Sequence, residues 1–175
     1  EMTYDYFWTK HNRNSIDNAG FLLKSYIHYS TNFTNAYWDG TRMTYGDGAA
    51  PYTPLVAMDI AGHEIAHGLT SNTSNLIYSN ESGALNESFS DSFGVAIDFY
   101  SRPTLANFLM GDGIGGTPFR NMANPNQYSD PDTYLGSFWY SGTADNGGVH
   151  SNSGVQNYWF YLMINGGIGK NDKND

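Results

Sequence analysis

The pattern of hydrophobic and polar positions divides the chain into a strand-rich part followed by a helical part. β-Branched and aromatic residues predict a strand over residues 21–30. Two further strands are predicted over residues 35–38 and 42–45, joined at Asp39-Gly40, a dipeptide that suits a tight hairpin. The Gly- and Pro-containing residues 46–54 then interrupt the sheet. We therefore expect antiparallel strands in the first third of the chain.

Helical composition begins after this interruption. Residues 55–69 predict a first helix, and residues 80–100 predict a longer second helix that Pro103 ends. Residues 111–150 are rich in Gly, Pro, Asn and Asp and are predicted to be a loop. A third helix over about 153–164 is apolar on most sides, so we expect it to be buried.

Strands followed by helices predict an α+β fold. We divide the chain into a strand-rich portion of a lobe, residues 1–56, and a mainly helical portion, residues 57–175. Residues 1–12 have helical composition with no capping residue before them, and the polar run 166–175 follows an apolar helix. Both ends are interpreted as cuts in a longer chain.

Composition and charge narrow the classes of function. A hydrophobic content of 39% with 16% aromatic residues predicts a packed core rather than disorder. The net charge of −9, with only eight Lys and Arg residues, argues against binding to nucleic acid. No run approaches the ~20 consecutive apolar residues that a membrane helix needs, so we expect no membrane partner. The absence of cysteine excludes disulfides and thiolate metal ligands.

The strongest chemical signal is the segment His63-Glu64-Ile65-Ala66-His67. On a helix, positions four apart lie on one face, so the two imidazoles can converge on one metal ion. Glu64 lies beside a candidate ligand, where a carboxylate can act as a base on water. By chance such a pentapeptide occurs in roughly 1% or less of chains this long.

Zinc in a hydrolytic site takes three protein ligands and leaves one position open. A third histidine six residues beyond His67 would fit one known pattern, but that position is Thr73. The second helix offers Glu87 instead, one of only four glutamates in the chain. Asp91 follows one turn later and is placed to accept the outer N–H of a ligating histidine. The alternative for both acids is a solvated helix face.

Three segments carry a specific resemblance: HEIAHG at 63–68, NESGALNESFSD at 80–91, and DNGGVHSNSG at 145–154. Together they resemble the signature segments of thermolysin-like zinc peptidases, the gluzincin type. NAYWDG, YGDG and FRNM match that family in the same order, so the resemblance covers nearly the whole chain. It implies a zincin-like fold, with more sheet before residue 1 and more helices after residue 170.

The resemblance also implies roles for individual residues. It implies one catalytic zinc ion with three ligands, His63, His67 and Glu87. Glu64 would be the general base, and Asp91 and Asn86 would be outer partners, which contact the ligands rather than the ion. Around the substrate, the resemblance implies that Tyr78 and His150 donate hydrogen bonds to the developing oxyanion and that Asp145 orients His150. Arg120 would donate to a substrate carbonyl. Asn35 and the Ala36 backbone would form the strand edge along which the peptide binds.

Two further sites follow from the same resemblance. An apolar specificity pocket would be lined by Leu55, Ile60, Met110, Ile114 and Phe119, which favours a bulky hydrophobic side chain after the scissile bond. A structural calcium ion would be bound by Asp59, Asp98 and Asp112. The last two are shorter than the family's usual glutamates, and Asn107 stands where an aspartate is common, so we expect one ion rather than two.

The sequence thus predicts a secreted bacterial zinc endopeptidase that cleaves peptides and proteins on the N-terminal side of bulky hydrophobic residues. We expect its precursor to carry an N-terminal propeptide. Two alternatives remain open: a zinc-binding but inactive fragment of such an enzyme, and a non-catalytic metal-binding module. Glu64 argues against the second alternative, because a purely binding site has no use for a base beside an open coordination position.

Overall fold

The computed structural model describes residues 1–167 and 171–173. Its first part contains helix α1 and three short strands, which are α1 (Met2–His11), β1 (Ser25–Tyr29), β2 (Ala36–Trp38) and β3 (Met43–Gly46). The strands form one sheet in the order β1-β3-β2. The predicted hairpin is confirmed, because β2 and β3 pair antiparallel with Trp38 opposite Met43.

The expectation of antiparallel strands throughout this sheet is wrong for β1, which pairs parallel with β3. The chain reverses once after β1, where Ser30 and Asn32 have φ values of 60° and 55°, and reverses again in the β2–β3 hairpin. Two reversals leave β3 running in the same direction as β1. The sheet is therefore mixed, with β3 in its centre.

The second part is mainly helical, which confirms the α+β class. Its regular elements are α2 (Met58–Ser71), α3 (Asn80–Ser101), β4 (Leu109–Met110), β5 (Arg120–Asn121), α4 (Asp145–Asn152) and α5 (Gly154–Asn165). Residues 111–150 were predicted as loop throughout. They also contain β5, the start of α4 and two 3-10 turns, at Asp112–Ile114 and Pro125–Tyr128. The division of the chain at residue 56 stays a prediction.

Helices α2 and α3 approach each other closely at a pair of glycines. A Cβ atom on Gly94 would collide with the backbone carbonyl of Asp59, and one on Gly62 would lie 3.0 Å from the Gly94 Cα. Only glycine permits this separation, because any side chain would have to push the two backbones apart. The contact brings His63 on α2 and Glu87 on α3 within reach of each other.

The main hydrophobic core lies between the sheet and helices α1, α2 and α3. Its buried members include Phe7 from α1, Met43 and Tyr45 from β3, Ile65 from α2 and Ile97 from α3. A smaller cluster around Val95, Met110 and Met122 lies beside it, with Phe99, Phe108 and Phe160 packed against it.

The expectation that the last helix is buried is wrong for most of α5. Only Gly154 and Asn157 are buried, while Trp159 is 57% exposed and Met163 is 59% exposed. One side of the helix meets α3 and the Pro125–Tyr128 turn. No described element covers the other side. Within the polar run 166–175, residues 168–170 and 174–175 lie outside the described residues. None of the helices in the described part of the chain has the length and apolar content to cross a membrane.

Candidate active site

Three candidate metal ligands meet where α2 crosses α3. His63 and His67 lie one turn apart on α2, with their Nε2 atoms 3.0 Å from each other. Glu87 on α3 is fully buried, and its carboxylate oxygens lie 3.5 Å from His63 Nε2 and 3.3 Å from His67 Nε2. Within residues 1–167 and 171–173, this is the one group of three or more potential ligands that converge closely enough to hold a metal ion.

The outer nitrogen of each imidazole is already engaged. His63 Nδ1 lies 2.8 Å from Asp91 Oδ1, and His67 Nδ1 lies 2.8 Å from Asn86 Oδ1. Both oxygens are acceptors, so each Nδ1 carries the proton and each Nε2 can present its lone pair to a metal. The Ser90 hydroxyl, which the sequence analysis assigned no role, lies 3.1 Å from His67 Nδ1.

The donor set fits zinc. Two imidazole nitrogens and one carboxylate are a common ligand set for a hydrolytic zinc ion with an open fourth position. Glu87 Oε2 is buried and has no hydrogen-bond partner within the described residues, although a buried carboxylate oxygen normally has one. Burial alone would lower the pKa of His67, but the hydrogen bond and charge of Glu87 outweigh this and raise it to about 9. The site thus favours positive charge.

Glu64 lies beside the ligand group and is itself buried. Burial raises the pKa of its carboxyl group, and the charges of His63 and His67 oppose this effect. A carboxylate with a raised pKa binds a proton more readily, which suits a general base. Its side chain lines the same cavity as the ligands, so it can reach a water molecule there.

On the other side of the ligand group, Tyr78 and His150 form a pair of candidate donors. The Tyr78 hydroxyl donates to Glu87 Oε1, and its oxygen lies 3.3 Å from His150 Nε2. Asp145 binds His150 twice, with its Oδ1 2.7 Å from Nδ1 and its Oδ2 accepting the backbone N–H at 2.9 Å. Asp145 thereby fixes the ring with Nε2 directed toward the ligand group.

The backbone of α4 explains why Asp145 can reach His150. Asn146, Gly147 and Gly148 have φ values of 51°, 89° and 77°, which are left-handed conformations, before the chain becomes helical. Glycine adopts such conformations at no steric cost. At Gly148 a Cβ atom would also lie 2.5 Å from the Tyr140 ring. The Asn-Gly-Gly sequence thus permits the turn that brings the Asp145 carboxylate back to His150.

Arg120 lies below the ligand group and binds Asp91 with two hydrogen bonds. Its Nε and Nη2 donate to Asp91 Oδ2 and Oδ1 at 2.7 and 2.6 Å. Asn157 Nδ2 donates to the same Oδ2 at 2.7 Å, a contact that the sequence analysis missed. Arg120 also lines the cavity, but these two donors are engaged inside the protein. Its contact with a substrate carbonyl stays a prediction.

The ligand group opens into a cavity of about 590 Å³. Of the residues predicted to form the specificity pocket, Leu55, Ile60, Met110 and Phe119 line it. Ile114 is the exception: its side chain is buried in the main core, and its carbonyl oxygen accepts from Thr53. Ile114 is therefore a residue of the main core and does not line the cavity.

Asn35 and Ala36 line the opposite wall of the cavity, at the edge of the sheet. The Ala36 N–H donates to Asn35 Oδ1 at 2.9 Å, so in this structure the side chain of Asn35 is turned toward its own backbone. Their role in docking a peptide stays a prediction.

Of the three candidate calcium ligands, Asp59 lies on α2, Asp98 on α3 and Asp112 in the 3-10 turn, and among the described residues they do not form a group close enough to hold a metal ion. Asp98 pairs with Arg102 at 2.6 Å, and Asp112 accepts from Asn107. Burial raises the pKa of Asp59, and the charges of the other two aspartates add to this effect. Calcium binding stays a prediction.

Comparison with known proteins relates both parts of the chain to one family. The family model described as "Thermolysin metallopeptidase, catalytic domain" matches residues 1–71, and that described as "Thermolysin metallopeptidase, alpha-helical domain" matches residues 74–175. Bacillolysin of Bacillus cereus is 48% identical over 171 residues, covering 94% of this chain and 30% of that protein. Thermolysin of Alicyclobacillus acidocaldarius subsp. acidocaldarius is 41% identical over 173 residues, covering 95% and 31%.

The fold is also similar to that of a solved structure, the precursor of protealysin, a metalloproteinase from Serratia proteamaculans. The TM-score is 0.79 at 36% sequence identity, over 92% of this chain and 55% of that chain. The chain spans about a third of the length of the curated relatives described above.

Proposed function

The chain belongs to the thermolysin family of metallopeptidases, and from this premise we propose that it acts as a zinc-dependent endopeptidase. The observation that carries the proposal is the convergence of His63, His67 and Glu87 at the floor of a cavity. Glu64 stands beside these ligands in the same cavity. This arrangement offers both metal binding and a base.

When bound to the three ligands, zinc would act as a Lewis acid on the scissile carbonyl and on the attacking water. Glu64 takes the proton that the water loses and then delivers it to the nitrogen of the departing amine. Burial raises the pKa of Glu64, which increases its tendency to accept this proton. Asp91 and Asn86 keep the two histidines oriented during the reaction.

Tyr78 and His150 stabilise the negative charge that develops on the carbonyl oxygen. The Tyr78 hydroxyl oxygen and His150 Nε2 lie 3.3 Å apart beside the ligand group, so both can reach a single oxygen there. Tyr78 would turn its O–H from Glu87 to this oxygen, and His150 would donate through Nε2 in its doubly protonated form, with Nδ1–H on Asp145. Donors fixed in advance stabilise the transition state more than the ground state, because the charge is larger in the transition state. Asp145 contributes by holding the His150 ring.

The shape of the cavity supports a preference for a bulky hydrophobic residue on the C-terminal side of the scissile bond. The cavity has apolar walls formed by Leu55, Ile60, Met110 and Phe119. A large apolar side chain bound there would displace water from this apolar surface, which is favourable. The substrate backbone would lie along the edge of β2, with Asn35 and Ala36 as its partners. Arg120 would offer its remaining donors to a carbonyl group.

Three further properties are part of the proposal. The similarity to a protealysin precursor supports an N-terminal propeptide in the precursor of this protein. The bacterial relatives support a secreted bacterial enzyme. One structural calcium ion at Asp59, Asp98 and Asp112 would relieve the repulsion among these acids.

Metal analysis combined with a peptidase assay tests the proposal. The purified protein should contain one zinc ion and hydrolyse a fluorogenic peptide with Phe or Leu after the scissile bond faster than one with Asp. A chelator should abolish hydrolysis and added zinc should restore it. Glu64→Gln should retain zinc and lose ~10²–10⁴-fold in turnover, since the amide cannot accept the proton.

The matched control is Glu81→Gln, which makes the same change at an exposed position of α3. It should keep both zinc and activity. Zinc binding without hydrolysis in the unmodified chain would favour the inactive-fragment alternative instead. Full activity of zinc-loaded Glu64→Gln would reject the assignment of the base.

A further inference from the structure

The carboxylate of Asp91 has an unusually complete set of hydrogen bonds. It is 0% exposed, and each of its oxygens accepts from two donors. Oδ1 accepts from His63 Nδ1 and Arg120 Nη2, and Oδ2 accepts from Arg120 Nε and Asn157 Nδ2. A carboxylate has about four lone-pair sites, so the set is full. The position of Oδ1, and with it the orientation of His63, depends on all of these donors.

The fourth donor comes from a different part of the chain. Asn157 lies on α5, 1% exposed, and reaches Asp91 across a sequence separation of 66 residues. Gly154 lies one turn earlier on the same helix, where a Cβ atom would lie 2.5 Å from the Pro131 carbonyl oxygen. The close approach at Gly154 seats the start of α5 against the protein and directs Asn157 inward. These two are the buried residues of a helix whose other side is exposed.

From these contacts we propose that Asn157 is a positioning residue for the zinc site, acting on His63 through Asp91. The inference rests on the proposed function. Arg120 binds both oxygens of Asp91, and Asn157 gives Oδ2 a second donor from a different element, so the position of the carboxylate does not depend on Arg120 alone. A neutral amide suits this position, because it donates to Asp91 without changing the net charge of the Arg120–Asp91 pair.

Removal of the amide should therefore weaken zinc binding. Oδ2 would lose a donor in a site that water does not reach, and the carboxylate would shift toward its remaining partners. The His63–Asp91 hydrogen bond would lengthen as a result. Outer partners of metal ligands typically change affinity ~10- to 100-fold, and Asn157 is one step further from the metal, so we expect about a 10-fold rise in the Kd for zinc.

The test compares Asn157→Leu with Asn165→Leu. The two substitutions are identical in kind and lie on the same helix, but Asn165 is exposed and its side chain donates to the Tyr161 carbonyl within its own helix. The Kd for zinc is measured by competition with a chelator. Asn157→Leu should bind zinc about 10-fold more weakly than the unmodified protein, and Asn165→Leu should match the unmodified protein.

Two further measurements separate positioning from a general loss of structure. In the metal-free protein, NMR should show faster exchange of the His63 Nδ1 proton in Asn157→Leu but not in Asn165→Leu. In an Asp91→Asn background, Asn157→Leu should cause little additional change in the Kd, because its route to His63 is already broken. Asn157→Ser, which removes the same donor with a smaller side chain, replaces the leucine variant if that variant does not fold.

An unchanged Kd and unchanged proton exchange in the Asn157 variant would overturn the inference. Fully additive effects of Asn157→Leu and Asp91→Asn would overturn it as well, because they would indicate a role in packing alone. If the unmodified protein bound no zinc, the proposed function would fail. The proton-exchange measurement on the metal-free protein would still decide the role of Asn157.

Discussion

Among the individual residues of the site, the two histidines are each oriented by a buried side chain of α3. His63 and His67 each have one ring nitrogen bound to an acceptor on α3, which leaves the other nitrogen for a metal. A ligand that is oriented beforehand loses less entropy on binding. Substitution of a ligand and substitution of the residue that orients it should therefore reduce zinc affinity by different amounts.

Glu87→Ala should weaken zinc binding more than Asp91→Ala. The first removes a candidate ligand of the ion itself, and the second removes the group that orients His63 and pairs with Arg120, for which a loss of ~10- to 100-fold is typical. Isothermal titration with zinc, performed on both variants at the same pH, measures the difference. A larger loss for Asp91→Ala would mean that we have the two positions in the wrong order.

His150→Ala should lower turnover ~10²–10³-fold and leave zinc content unchanged, because one donor to the developing charge is lost. Asp145→Asn should act in the same direction but more mildly, since it only loosens the ring. The chain offers a matched control in His28→Ala: His28 forms a similar pair with Asp47 at 2.6 Å, on an exposed strand. Loss of zinc from His150→Ala would make His150 a ligand instead.

Spacing along the chain predicts that His63 and His67 meet, whereas the pairing of Asp145 with His150 was implied by the resemblance to a family. His63 and His67 are four residues apart on one helix, and Asp145 and His150 are close in the chain, so local geometry brings each pair together. Asn157 gave no such signal, because its contact with Asp91 depends on how α5 packs against the rest of the fold. The resemblance to a family helped only for residues that lie in its motifs.

At the scale of elements, the contact between α2 and α3 determines the geometry of the ligand group. The two helices touch backbone to backbone at Gly62 and Gly94, so their separation does not depend on how side chains pack between them. Two of the candidate ligands come from α2 and one comes from α3, so the distance between the helices sets the distance between the ligands.

Gly94→Ala should therefore weaken zinc binding although the residue touches no metal ligand side chain. The added methyl group meets the carbonyl of Asp59, and overpacking of this kind typically costs ~1–3 kcal/mol of stability. The separated helices would hold Glu87 farther from the histidines. Ser92→Ala, at a partly exposed position of the same helix, is the control. Zinc affinity that is equal in both variants would contradict this account.

The elements themselves differed in how well their sequence predicted them. Helices α2 and α3 were predicted because their apolar periodicity and the proline after α3 are local properties. The parallel pairing of β1 with β3 was not predicted, because it depends on two chain reversals between these strands. The exposure of α5 was missed because a helix that is apolar all round is equally compatible with a buried or a partly covered position.

For the molecule as a whole, one buried carboxyl group makes the free energy of unfolding depend on pH. Asp130 is buried near Arg120 and Asp91, and burial is the main reason why its pKa rises from 3.8 to about 6; the Arg120 charge opposes the rise and the Asp91 charge adds to it. Because the folded state binds this proton more tightly than the unfolded state, the contribution of Asp130 to stability is fully present below pH 4. It is lost as the pH rises through about 6.

Asp130→Asn should therefore make the protein more stable at pH 8 and flatten the fall in stability between pH 4 and pH 7. A shift of about two pKa units corresponds to ~3 kcal/mol at most, and we expect on the order of 1–3 kcal/mol. Urea unfolding of zinc-loaded protein at a series of pH values measures this. A variant with the same pH dependence as the unmodified protein would refute the prediction.

The arrangement of the ligands along the chain also bears on how the protein folds. All three ligands and both outer partners of the histidines lie in one continuous stretch from His63 to Asp91, on two helices joined by a short connection. Contacts between residues close in sequence form early, because little chain entropy is lost in closing the loop between them. Asn157, by contrast, joins the site only when α5 docks. We therefore expect the two helices that carry the candidate zinc ligands to assemble before the last helix packs. Zinc added during refolding should then increase the folding rate, in addition to stabilising the folded protein.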